Sequence, residues 1–142
     1  HIFFFFSCPI DEDLKLMYQL KLEGHCCSSI IIRLGLELKG ESNEQFVSAA
    51  KSLCHGMHSG LNCGALTAAV CMLALFDEKN TEMVKEMVFW FQNELCAKYG
   101  SIDCEDITGG NPYNRAVICP NLVKETYLHA KQLLVDFGYI SI

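Results

Sequence analysis

No stretch of this 142-residue chain stays apolar long enough to cross a bilayer. The longest run, Gly64 to Phe76, falls short of the roughly 20 residues a spanning helix needs and suits a buried core helix. Cationic clusters are missing too. Eleven Lys and Arg against 17 Asp and Glu leave a net charge of -6, which excludes the basic face of a nucleic-acid binder. There is no glycine-rich phosphate loop of P-loop or dinucleotide type. There is no C-x-x-C pair, so neither a compact zinc knuckle nor a local dithiol is encoded. No basic segment precedes the apolar run Ile2–Phe6, and that run is too short for a secretory signal. Residues 1–10 read as an extension: an added tag, a trimmed native end or a segment that packs on a partner.

What is present is hydrophobic residues and cysteine. Half of the residues are hydrophobic (51%), which excludes disorder and supports one domain over residues 11–142. The nine cysteines are an odd number, so a fully paired disulfide framework within one chain is impossible. An aliphatic-rich chain has no need of such staples. The cysteines therefore point to metal or redox chemistry in a reducing, cytoplasmic compartment.

The periodicity is helical almost throughout and predicts an all-α, single compact domain of about six helices. Pro9 and Asp11 mark a first helix start, with Leu14, Met17 and Tyr18 on its inner face. A second helix spans His25 to Leu38 and stops at Gly40; its Ile30–Ile32 run has strand propensity but no partner strand. Ser42 and Gln45 fit a capping box for a third helix, which ends near Gly56. A loop through His58 and Gly60 leads to the apolar helix beginning at Cys63. Asn80 and Thr81 cap the next helix, whose stripe is Val84, Val88, Phe91 and Leu95. Pro120 is placed as the first residue of the last helix, with Val123, Tyr127, Ala130, Leu134 and Phe137 inward and Gly138 as its stop.

On this plan four cysteines fall at or near helix starts: Cys27, Cys63, Cys104 before the single turn "EDI", and Cys119 before Pro120. A helix N-terminus offers free N–H groups and the positive end of the macrodipole, so their thiol pKa values are expected to fall. The same donors favour a thiolate-ligated metal centre, and Gly64 leaves room for close approach. Burial of cysteine as a small hydrophobe is the bland alternative.

The contexts of these four cysteines resemble the C_GCAxxG_C_C family of redox-active proteins. The matching elements are Gly24-His25-Cys26-Cys27, Gly60-Leu61-Asn62-Cys63-Gly64-Ala65, Gly100-Ser101-Ile102-Asp103-Cys104 and Cys119-Pro120-Asn121-Leu122-Val123. The family usually has glycine where this chain has Ala68. The resemblance covers about Asp11 to Gly138. It implies a redox role, in a family common among anaerobes, with an iron–sulfur centre as the natural cofactor.

Four functional readings follow. The first is an iron–sulfur protein, [2Fe–2S] or [4Fe–4S], with Cys27, Cys63, Cys104 and Cys119 as ligands and a redox partner protein. The second is a metal-free dithiol–disulfide protein using Cys63 and Cys119. The third is structural zinc on the same cysteines, with Cys26, His55 or His58 as additional ligands. The fourth is a helical interaction protein with cysteines as core filler. Cys54, Cys71 and Cys96 read as core, Trp90, Phe89 and Phe91 as core aromatics, and the acidic residues around Cys104 as a helix-start charge bias. The IFFFF segment suits a homodimer or partner contact.

Overall fold

The computed structural model describes the backbone of residues 2–141 and the side chains of residues 12–141. The helices are α1 (Ile2–Leu22), α2 (Cys27–Lys39), α3 (Glu44–Ala50), α4 (Gly64–Phe76), α5 (Thr81–Trp90), α6 (Cys96–Tyr99), α7 (Cys104–Thr108) and α8 (Pro112–Asp136). A wider turn, Phe91–Leu95, joins α5 and α6 into one rod. Among the described residues there is no strand, only an isolated antiparallel bridge between Asn62 and Asp103. The fold is all-α, and no described helix is long and apolar enough to cross a membrane.

The centre is the α2–α4 pair. Helix α4 is apolar on nearly every side and buries Ala65, Leu66, Ala68, Ala69, Met72 and Leu73, as a fully surrounded helix must. The Ile30–Ile32 run of α2 is helical and buried; with neighbours on all sides, tertiary contact overrides its strand propensity. Helix α8 lies across α4 with Val123, Tyr127, Ala130 and Leu134 inward, and α1 adds Met17 and Leu20. Gly40 ends α2 in a left-handed cap, as the sequence predicts.

Several boundaries differ from expectation. Helix α1 begins ahead of Pro9, whose fixed φ is itself compatible with helical backbone. The cap of α3 is Asn43, which accepts from the Phe46 N–H at 3.0 Å, in place of the Ser42–Gln45 box. Amide and hydroxyl caps are close competitors, and register decides between them. The α5 stripe is Met83, Met87, Phe91 and Leu95, with Val84 and Val88 only half-buried. Flexible methionine fills the core gap better than valine. Helix α8 starts at Pro112, capped by Asn111, and Pro120 lies inside it. Tyr18, Phe89 and Phe137, expected inward, are largely exposed. The expected IFFFF contact and Cys8 fall outside the described side chains.

Candidate functional site

Two short backbone bonds set the frame. Cys63 N–H donates to the Ile102 carbonyl at 2.8 Å, and Cys104 N–H donates to the Leu61 carbonyl at 2.7 Å. These are the two bonds of the Asn62–Asp103 bridge, and they pin the N-cap of α4 beside the first residue of α7. Cys27 is the first residue of α2 and reaches the same place. A Cβ on Gly64 would lie 3.0 Å from Cys27 Sγ and 2.6 Å from the Leu53 carbonyl oxygen, so only glycine lets this thiol and the Leu53 backbone approach α4 so closely. Cys119 comes from the interior of α8.

The loop into Cys63 is strained. His55, Met57 and His58 hold φ of 56°, 60° and 55°, and Gly56 at 61° completes a left-handed turn. Each non-glycine residue there costs roughly 1–2 kcal/mol. Gly56 is enforced twice, by its φ and because a Cβ would meet the Leu61 backbone at 2.2–2.7 Å. With left-handed backbone at both, His55 and His58 share no helical face. Their rings meet edge-on at 5.6 Å between centroids, and His58 Nε2 contacts the Lys51 carbonyl at 3.1 Å.

A disulfide ties this loop to α2. Cys26, the N-cap of α2, is bonded to Cys54, with a Cα–Cα distance of 6.2 Å across 28 residues. Ser28 reinforces the junction by donating to the Ala50 carbonyl at 2.7 Å. In this state Cys26 has no thiolate to offer a metal, and Cys54 is a tether as well as a core residue. Pairing of this kind cannot be read from spacing, because nine cysteines allow many connectivities. Among the described residues Cys27, Cys63, Cys71, Cys96, Cys104 and Cys119 are free.

The four predicted cysteines lie near enough to act on one another electrostatically. Burial pushes the Cys27 thiol up to about 12; the neighbouring Cys63, Cys119 and Cys104 add to the rise, against the Ser28 N–H. Burial pushes Cys63 up to about 11, over the opposing N–H groups of Ala65 and Leu66, with Cys119 and Cys104 again raising it. Cys119 is raised by burial and by Cys104, while Arg115 and Lys21 pull it down. For Cys27, Cys63 and Cys119 the expected fall in pKa is therefore overturned. Helix N–H groups do reach Cys63, but loss of water and mutual repulsion outweigh them. Cys119 has no helix start to help it, since Pro120 is eight residues into α8 from Pro112.

Cys27, Cys119 and the disulfide's Cys26 line a cavity of about 470 Å³ between α1, the start of α2 and α8. Among the described residues no three His, Cys, Asp or Glu side chains converge tightly enough to hold a single metal ion. The chemistry of the donor set still fits a larger thiolate-ligated group. Four sulfurs influence one another, N–H groups are aimed at two of them, and Gly64 clears the space beside Cys27. Cys71 and Cys96 are half-buried and no part of this gathering, and His129 stacks flat on Trp90 at 4.0 Å.

The family model described as "Putative redox-active protein (C_GCAxxG_C_C)" matches residues 25–133. No curated protein and no solved structure matches the chain. The matched interval covers well over half of the chain, runs from just before α2 deep into α8, and contains all four clustered thiols. By this match over most of its length, the chain belongs to the C_GCAxxG_C_C family.

Proposed function

We propose that Cys27, Cys63, Cys104 and Cys119 hold an iron–sulfur cluster and that the protein passes electrons to a redox partner protein. The observation that carries this reading is the mutual influence of four thiols drawn from α2, the cap of α4, α7 and α8. Burial raises the Cys63 and Cys119 thiols, and a thiol held neutral is a poor nucleophile, which counts against a metal-free dithiol centred on this pair. A metal centre supplies the positive charge that makes their deprotonation favourable, and when bound it would give or take one electron at a time. The chain's own residues have separate tasks. The Ala65 and Leu66 N–H groups stabilise charge on Cys63, and the Ser28 N–H does so on Cys27. The Asn62–Asp103 bridge keeps Cys63 and Cys104 in register. A cluster is broader than one ion, so it suits thiols that gather without converging on a point better than zinc does.

The Cys26–Cys54 disulfide favours a second reading, a metal-free dithiol–disulfide protein in which this pair is the redox couple. Protein purified without oxygen separates the two. Iron with acid-labile sulfide and a visible band, lost in Cys27→Ser, Cys63→Ser, Cys104→Ser and Cys119→Ser but kept in Cys71→Ser, is the expected result. Zinc without sulfide would replace the cluster by a structural metal. A colourless, metal-free protein with one pair oxidising reversibly would establish the second reading.

A further inference from the structure

The 470 Å³ cavity beside Cys27 and Cys119 carries positive charge in its wall. Its body is apolar, walled by Leu14, Met17, Ile30 and Val123. Two cations, Lys21 and Arg115, stand in the same wall. Six of the eleven Lys and Arg pair with a carboxylate; the other arginine, Arg33, pairs with Glu44 at 3.0 Å. Among the described residues neither Lys21 nor Arg115 has such a partner. Arg115 goes further, because its Nε is buried and makes no hydrogen bond. An arginine donor removed from water with nothing to bond is a cost that the fold leaves unmet. Both cations also act on Cys119, which fixes them near that thiol.

We infer that this cavity is a binding site for a small organic carboxylate, its head on Arg115 and Lys21 and its apolar body along Leu14, Met17, Ile30 and Val123. A planar guanidinium suits a carboxylate because it can donate two parallel hydrogen bonds. The volume of this half-open cavity lies within the range of small-molecule sites with a few fixed polar groups in an apolar wall. The ligand would rest against Cys119 and Cys27, at the one place where the thiol gathering meets the cavity. The inference does not rest on the cluster, because the wall, the cations and the orphan donor are the same whatever the thiols bind.

Titration calorimetry of the full chain as purified tests it, with sodium octanoate as the probe and 1-octanol and octylammonium as controls. Saturable 1:1 binding of octanoate is expected, about tenfold or more tighter than octanol, with octylammonium inert. Arg115→Gln should weaken octanoate about tenfold and leave octanol unchanged, and Arg115→Lys should fall between. Ala116, an exposed residue of the cavity wall, gives a variant that leaves every charge in place. Ala116→Phe should block both octanoate and octanol. Absence of octanoate heat at millimolar concentration, equal affinity for octanol, or an unaltered Arg115→Gln would each overturn the inference. If Arg115→Gln does not fold, Lys21→Gln and Ala116→Phe still decide it, and loss of octanoate binding in neither would overturn it.

Discussion

The two ends of α4 carry groups that both depart from the helix-dipole rule, in opposite directions. At the N-terminus Cys63 sits where an anion should be favoured, yet burial pushes its thiol up to about 11. At the C-terminus Asp77 sits where an anion should be disfavoured, yet its carboxyl is held below its ordinary value by the Tyr139 hydroxyl at 2.7 Å, then by the Lys79 N–H. The macrodipole is worth about 0.3–1 kcal/mol near the surface. Loss of water at one end and direct donors at the other are stronger. An anion at Cys63 therefore needs a stronger counter-charge than a helix end, and a bound metal would provide one.

Mutations along α4 sharpen this contrast. The largest effect is expected between the ends. Leu73 is fully buried, and Leu73→Ala should lower stability by about 3 kcal/mol in urea unfolding. The folded fraction should keep its metal content, whereas Cys63→Ser should do the reverse, losing metal with a much smaller stability change. Equal metal loss in both would erase the distinction between the packed stretch and the thiol end.

Next comes the tether behind the thiol end. Cys54→Ser removes a link closing a 28-residue span and should destabilise the oxidised protein by about 3 kcal/mol. Under strong reductant the difference should shrink greatly, which comparison of unfolding midpoints with and without reductant would reveal. A Gly64→Ala variant is expected to cost about 2 kcal/mol, since the new methyl meets the Leu53 carbonyl and Cys27 Sγ. It should also reduce metal retention, because Cys27 must retreat; an unchanged metal content would place the thiols further apart than proposed.

The smallest effect belongs to the other end. Because the folded carboxyl of Asp77 is lowered, its contribution to stability is present above the ordinary carboxylate pKa of about 3.9. It is lost as pH falls through the lower folded value. Wild type should therefore exceed Asp77→Asn in stability at neutral pH, with the gap closing below about pH 4. A gap that persists at lower pH would mean the Tyr139 contact does not depend on the charge.

The helical class, the buried helix after Cys63 and the Asn80 cap were all legible, because each is a local pattern of three to four residues' reach. The place of Pro120 was not. Pro112 and Asn111 offer an equally good start eight residues earlier, and local rules do not rank two proline starts. Inward and outward faces failed where two neighbours compete, as with Met83 and Met87 against Val84 and Val88.

By itself, the sequence determined the all-α class and the family, because those depend on composition, short periodicity and local motif. Only the tertiary structure decided that these thiols gather, that burial raises the pKa of three of them, that Cys26 pairs with Cys54, and that Arg115 stands unpartnered beside a cavity. Those outcomes depend on which distant residues exclude water from which atoms. Desolvation is a property of the packed neighbourhood and has no local signature in the chain.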